Sequence, residues 1–220
     1  MLLALGLPLP KSLYVHGFIN VDNQKMSKTL GNVIAPVDIV NKYSSDVFRY
    51  YFTRHIPSYE DGDFSWEKLE KAYNTELADQ LGNAVSRSAA MIAKYQSGVI
   101  GEIPSPGHDI APFQASMADF RFDRAVEQIW EQVRGLNQYI DETKPWEIAK
   151  SKEEDHLREV LAYMVGCLLE IATLLYPFMP DTAKKIRDTF DSGVLKPLET
   201  SLFPKAEKPP ANTQAEQPAK

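Results

Sequence analysis

Long stretches of the chain repeat apolar residues at helical spacing. One runs from Trp66 to Tyr95 and another from Phe122 to Ile140, and the second has the cleanest period in the sequence. Their apolar positions are Leu69, Tyr73, Leu77, Leu81, Ala84, Val85, Ser88 and Met91 in the first, and Phe122, Ala125, Val126, Ile129, Val133, Leu136 and Ile140 in the second. A 3.6-residue period predicts amphipathic helices. A more apolar run, residues 155–175, predicts a central helix, and a short helix is predicted over residues 181–190.

The first sixty residues have a different pattern. Residues 13–21 are rich in β-branched and aromatic residues around Gly17, which predicts short strands meeting at a turn. Residues 22–32 are polar and end in Gly-Asn, which predicts a loop rather than a core element. Pro36 then opens a helical stretch that continues towards Arg54.

A connector at residues 57–65 holds Pro57, Gly62 and three acidic residues, and we predict a domain boundary there. The predicted division has three parts: a first domain over residues 1–60, an all-helical domain over residues 61–204, and a tail over residues 205–220. The tail contains three prolines and no aliphatic residue larger than alanine. Such a segment buries too little surface to offset its ordering entropy, so we predict disorder there.

Composition narrows the class of protein. Hydrophobic residues make up 44% and charged residues 25%, as in soluble globular proteins. The net charge of −6 argues against binding nucleic acid through overall basicity, so any RNA contact must be local. The single cysteine, Cys167, lies in an apolar run and predicts a reducing, cytoplasmic location. The apolar start reaches Pro8 far short of a membrane span, so we expect no membrane association.

Lys25 and Lys28 flank Ser27 in the polar loop. Ammonium groups on a mobile loop can follow a pyrophosphate as negative charge moves onto it, while a hydroxyl and backbone N–H groups add hydrogen bonds. A phosphate site is therefore one interpretation of this spacing. The other is an ordinary solvated surface loop, which is what most pairs of lysines at this spacing form.

The string KMSKTLGN resembles the second signature of class I aminoacyl-tRNA synthetases, with Thr29 in place of the commoner serine. The surrounding HGFINVDNQKMSKTLGN and SSDVFRYYFTRHIPSYEDGDFSW resemble methionine–tRNA ligases. The resemblance implies an ATP-binding loop at Lys25, Met26, Ser27, Lys28 and Thr29, with Lys25 and Lys28 catalytic. It further implies ATP with Mg²⁺, methionine and tRNA(Met) as substrates and partners. The implied fold is mainly α: the C-terminal remnant of a Rossmann-like α/β catalytic domain, followed by an all-α anticodon-binding bundle.

Two further elements carry polar or aromatic groups suited to RNA. The first long helix has a predicted outward face, which carries Glu76, Asp79, Gln80, Asn83 and Arg87. Asparagine offers a donor and an acceptor to a base edge, and guanidinium can stack on a base. Pro145-Trp146 begins another helix with an indole that can stack on an unpaired base. The alternatives are a solvated helix face for the first element and a core tryptophan for the second.

LGNAVSR and TKPW resemble the two anticodon-reading elements of methionine–tRNA ligases. The resemblance implies that Asn83, Arg87, Pro145 and Trp146 contact a CAU anticodon. Asn137 is a weaker candidate that could instead cap or bridge helices. The residues Arg49, Tyr50, Tyr51 and Arg54 are interpreted as packing and surface charge, and no site is assigned to them.

The family's first signature, an H-I-G-H-like motif, does not occur around any of the four histidines. We therefore expect that these 220 residues alone do not form methionyl-adenylate. The family's zinc knuckle belongs to the same missing region, so we expect no metal site here. Two alternatives stay open: a stand-alone tRNA-binding or regulatory module without catalysis, and a helical interaction domain unrelated to tRNA.

Overall fold

The structure is a computed structural model that describes residues 1–196, 198 and 200–205. Nine α-helices and three short strands form this described part. The strands are β1 (Ile19–Val21), β2 (Gln24–Lys25) and β3 (Gly62–Phe64); the helices are α1 (Pro36–Lys42), α2 (Ser45–Arg54), α3 (Trp66–Ala72), α4 (Asn83–Gln96), α5 (Ala111–Ala118), α6 (Phe122–Thr143), α7 (Pro145–Ser151), α8 (Glu154–Leu175) and α9 (Pro180–Phe190). Apart from Lys205, the predicted disordered tail lies outside the described residues.

The sheet has the order β2-β1-β3, with β1 antiparallel to β2 and parallel to β3. The chain reverses at Asp22 and Asn23, whose φ angles are 50° and 61°, as a two-residue hairpin with both central residues in the left-handed region requires. The predicted turn at Gly17 was therefore wrong, because the reversal lies five residues later. The connector is likewise more than a loop, since β3 belongs to it; the boundary at residue 60 stays a prediction.

The acidic residues of the connector hold the hairpin in place. Asp61 accepts a hydrogen bond from the Phe18 N–H at 2.7 Å, and Asp63 accepts one from the Asn23 N–H at 2.5 Å. A hydrogen bond from Lys68 and the one from Asn23 lower the pKa of Asp63. Gly17 lies so close to the connector that a Cβ there would be 2.2 Å from the carbonyl oxygen of Glu60. Only glycine permits this approach.

The long helix predicted from Trp66 is present but not uniform. Between α3 and α4 the chain continues without a break through a π-helical segment, Tyr73–Gly82. A π-helix is closed by i→i+5 bonds and therefore has more residues per turn than an α-helix. The apolar residues from Leu69 to Val85 recur at every fourth position. This spacing stays on one face only if the average turn is wider than 3.6 residues, as it is here.

Helices α6 and α8 form the centre of the bundle, and both predicted apolar faces are confirmed. The fully buried residues include Ile129, Val133 and Ile140 of α6, and Leu161, Val165 and Leu168 of α8. Cys167 is buried and unpaired, as its apolar surroundings predicted. Helix α5 begins where no helix was predicted. Within the described residues, no helix combines the length and apolarity needed to cross a membrane.

Helix α2 is joined to the bundle by aromatic packing and ion pairs. Tyr50 is buried with its ring centroid 4.5 Å from that of Trp130, and its hydroxyl donates to Glu76. Arg54 bridges two carboxylates, at 3.3 Å from Glu76 and 2.7 Å from Glu127. The packing interpretation of the tyrosines agrees with this arrangement.

The other end of α2 contacts the region between α8 and α9. Arg49 donates to the carbonyl oxygens of Phe178 at 2.8 Å and Pro177 at 2.5 Å. The buried Asp46 accepts a hydrogen bond at 2.6 Å from the N–H of Thr182, in the first turn of α9, where a carboxylate also interacts favourably with the helix dipole. Helix α2 is therefore fastened to the bundle at both ends.

Glu76 gives the α2 contact a pH dependence. Burial by itself raises the pKa of Glu76, but hydrogen bonds from His55 and Tyr50 and the charges of His55 and Arg54 outweigh it and lower that pKa below its ordinary value. A carboxylate with a depressed pKa in the folded state stabilises above its unfolded pKa, and this stability is lost as pH falls through the folded value. We expect the stability advantage of the native chain over Glu76→Gln to shrink between about pH 5 and pH 3. Urea unfolding of both proteins across this range measures it; a pH-independent difference would contradict the assignment.

Candidate functional site

The lysine loop begins in the sheet rather than after it. Lys25 is the last residue of the edge strand β2, and its ammonium nitrogen lies 5.5 Å from the ring centroid of Phe18. Lys28 and Thr29 are exposed, while Met26 and Ser27 are half-buried. The predicted loop over residues 22–32 is thus correct except for β2. Both ammonium groups project from an exposed stretch, as contact with a polyanion requires.

Asn32 closes the loop. Its side-chain oxygen accepts from the Ser27 N–H at 2.8 Å, and its side-chain nitrogen donates to the Lys25 carbonyl at 3.2 Å. Gly31, with φ 68°, donates its N–H to the Ser27 carbonyl at 3.1 Å. The sequence showed that Gly31-Asn32 ends the loop but did not show this role of Asn32. The signal was the residue type, because short amide side chains often bond to nearby backbone in turns.

Three of the four predicted anticodon readers lie together on one surface. The Arg87 guanidinium lies 5.9 Å from the centroid of a Trp146 ring and forms an ion pair with Asp141 at 2.7 Å. Asn83 is exposed one helical turn before Arg87 on α4. We call Asn83, Arg87 and Trp146 the α4–α7 surface. Asp141 was not among the predicted residues, and only the packing of α6 against α4 brings it there.

Pro145 and Trp146 have different environments. Pro145 is buried at the first position of α7, whereas Trp146 is half-buried at the edge of the core. Lys144 ends α6 and precedes α7 with φ 45°, so the chain bends sharply before the proline. Because proline fixes φ at the start of a helix, Pro145 determines the direction of the indole but offers little surface to a base.

The predicted outward face of the first long helix is only partly correct. Asp79 is exposed and pairs with Lys205 at 2.7 Å. Glu76 instead turns towards α2, and the side-chain oxygen of Gln80 is buried with no hydrogen-bond partner among the residues that the structure describes. The prediction assumed 3.6 residues per turn, whereas both residues lie in the π-helical segment, where the wider turn changes their direction.

Asn137 bridges two helical segments. Its side-chain nitrogen donates to the carbonyl oxygen of Gln80 at 3.2 Å and to that of Val133 at 3.0 Å. This geometry corresponds to the bridging alternative for Asn137.

Comparison with known proteins identifies the family. A family model described as tRNA synthetases class I (M) matches residues 1–89, and one described as the anticodon-binding domain of tRNA ligase matches residues 108–217, half of the chain. The methionine–tRNA ligase of Thermotoga maritima is 37% identical over 92% of this chain. The chain belongs to the methionine–tRNA ligase family. The methionine–tRNA ligase of Clostridium acetobutylicum is 41% identical to this chain over 85% of its residues.

The fold comparison agrees. The chain is similar to the crystal structure of Mycobacterium tuberculosis methionyl-tRNA synthetase bound by methionyl-adenylate, with a TM-score of 0.79 and 28% identity over 92% of this chain and 46% of the other. The predicted fold class is confirmed: a small Rossmann remnant is followed by a helical anticodon-binding domain. The chain spans about a third of the length of the relatives, covering 36% of the Thermotoga and 31% of the Clostridium protein.

Proposed function

We propose that this chain recognises the CAU anticodon of tRNA(Met) through the α4–α7 surface and supplies the ATP loop of a methionine–tRNA ligase. The observation that carries the first part is the pairing of Arg87 with Trp146 beside the exposed Asn83. Such a surface presents an aromatic plane, a planar cation and an amide within one small area.

These three groups suit unpaired bases. Anticodon-loop nucleotides can be splayed out with their Watson–Crick edges exposed, which duplex RNA does not allow. The Trp146 indole can stack on one base, while Asn83 and Arg87 offer hydrogen bonds to base edges. Asp141 holds the guanidinium of Arg87 beside the indole in the free protein. A surface of this kind needs no overall positive charge.

We propose that the loop from Lys25 to Thr29 binds ATP, which enters with Mg²⁺. Lys25 and Lys28 would stabilise negative charge on the pyrophosphate as methionine is activated, and the Ser27 and Thr29 hydroxyls would add hydrogen bonds. Asn32, which fastens the loop at Lys25 and Ser27, keeps the exposed Lys28 within reach of the same phosphates. A cytoplasmic location stays a prediction.

The anticodon proposal is tested with hairpin RNAs that carry the anticodon stem and loop. We expect the purified chain to bind a CAU hairpin more tightly than hairpins with one anticodon base changed, by about tenfold or more per base that a bidentate contact reads. Fluorescence anisotropy in competition format at fixed salt measures the ratio. Equal affinity for all hairpins would overturn the proposal. Weak binding that varies with salt concentration but not with the anticodon sequence would indicate contacts to the RNA phosphates alone.

For catalysis, we expect the purified 220-residue chain to show no methionine-dependent ATP–pyrophosphate exchange, because its residues include no H-I-G-H-like motif. Adding the separately produced complementary part of a relative is expected to give exchange that Lys28→Ala abolishes. Exchange by the chain alone would contradict the first statement. CAU binding without exchange in any reconstituted mixture would favour a tRNA-binding module without catalysis.

A further inference from the structure

The position of Asn83 depends on the π-helical segment that precedes it. The segment ends at Gly82, and the Asn83 N–H points back to the carbonyl oxygens of Ala78 and Gln80. The i→i+5 bond to Ala78 belongs to the π-helix. In an α-helix each residue rotates the chain about the helix axis by a larger angle than in a π-helix. Asn83 would therefore face another direction if the segment were α-helical. Whatever holds the segment in its wide form therefore also aims Asn83.

One such contact comes from α6. Asn137 donates to the carbonyl oxygen of Gln80, the same atom that receives the Asn83 N–H. The bond to Val133 fixes the Asn137 amide against its own helix. A single carbonyl thus connects the Asn137 side chain to the backbone of the proposed reader.

A second contact comes from the residues Leu202–Lys205, which we call the strap. Phe203 of the strap packs edge-on against Tyr73, with ring centroids 6.1 Å apart. The Tyr73 hydroxyl donates to the Pro204 carbonyl at 2.6 Å, and Lys205 pairs with Asp79 at 2.7 Å. A Cβ on Gly82 would lie 3.6 Å from the Phe203 ring. The strap therefore contacts Tyr73, the first residue of the π-helical segment, and lies beside Gly82, the last.

We propose that Asn137 and Phe203 are positioning residues for anticodon recognition: they hold the π-helical segment in its wide form and thereby aim Asn83 at its base. The inference rests on the proposed function of the α4–α7 surface. Asn137 acts on the segment from α6 and Phe203 from the strap, so removal of either loosens the same backbone. Neither side chain needs to touch RNA.

The test compares three hairpins, each with one base of CAU replaced, against the CAU hairpin. Asn83→Ala first identifies the base that Asn83 reads, as the position whose discrimination it abolishes. We expect Asn137→Ala and Phe203→Ala to reduce discrimination at that same position by about five- to tenfold, the usual effect of losing one net hydrogen bond, and to leave the other two positions within twofold. A general loss of folded protein would lower binding to all hairpins in proportion.

A double-mutant cycle gives the sharper readout. If Asn137 acts through Asn83, Asn137→Ala should change discrimination by less than about twofold once Asn83→Ala is present. An equal effect in both backgrounds would show that Asn137 contacts RNA itself and would overturn the inference, as would unchanged discrimination in the single variant. Asn137→Gln and Phe203→Leu, which keep a donor and an apolar side chain, should restore part of the loss.

Two further measurements keep the outcomes distinct. Thermal unfolding shows whether a variant is folded, and Asn137→Ser replaces Asn137→Ala if that variant unfolds. Hydrogen exchange at the Asn83 amide should be faster in the Asn137 and Phe203 variants and unchanged in Arg134→Ala, an exposed change elsewhere on α6. If the native chain shows no preference for CAU, the proposed function fails; unchanged exchange at Asn83 overturns the positioning inference by itself.

Discussion

Replacing Trp146 by alanine is expected to weaken binding to a CAU hairpin by about five- to 150-fold, since stacking of one base on an aromatic ring contributes about 1–3 kcal/mol. The indole is half-buried, so one part is anchored in the protein while another is available to a base. The variant also removes the ring beside which the Arg87 guanidinium lies. Equilibrium titration at constant salt measures the change.

Matched variants separate stacking from other effects. Trp146→Phe keeps an aromatic plane and should lose less affinity than Trp146→Ala. Lys184→Ala removes an exposed cation of α9 that pairs with Asp188, and it should change affinity little because α9 contributes no residue to the α4–α7 surface. Unchanged affinity in Trp146→Ala would count against anticodon recognition and would favour the helical interaction domain.

Apart from α5, the helices were predictable because their cause is local. Apolar residues at helical spacing must share a face, and burying that face is what stabilises α6 and α8. The candidate site was harder to predict from the sequence. Arg87 and Trp146 are 59 residues apart in the sequence, and no spacing rule brings them together. Only the resemblance in LGNAVSR and TKPW predicted a shared role, and the packing of α4 against α7 supplies the contact.

The features that the sequence did not predict depend on distant contacts or on ambiguous spacing. Strand β3 pairs with β1 across some forty residues, so β3 could not be recognised from its sequence neighbours alone. The π-helical segment has apolar residues at every fourth position, a spacing that an α-helix also tolerates over two or three turns. Glu76 was consequently predicted to face outward, whereas it accepts hydrogen bonds from Tyr50 and His55 of the α2 region.

Helix α2 provides the prediction with the largest effect on stability. Tyr50→Ala is expected to lower the free energy of unfolding by about 3–5 kcal/mol, as for other buried aromatic residues truncated to alanine. Tyr50 is 1% exposed, and its ring packs against the fully buried Trp130. The truncation would leave a cavity beside Trp130 and would remove the hydrogen bond that the Tyr50 hydroxyl donates to Glu76.

Two tyrosine variants show which part of the side chain matters. Tyr50→Phe removes only the hydroxyl and should lower stability by about 1 kcal/mol, because the ring still fills its place. Tyr59→Ala is the matched control: this tyrosine is 50% exposed and donates to the Asp119 carbonyl at 2.6 Å, so its loss should have a much smaller effect than Tyr50→Ala.

Urea unfolding followed by tryptophan fluorescence compares the three variants. If Tyr50→Ala and Tyr59→Ala were equally stable, α2 would not be part of the same cooperative unit as the bundle, and the contacts of Tyr50, Arg54 and Glu76 would contribute little to holding the catalytic remnant on the anticodon-binding domain.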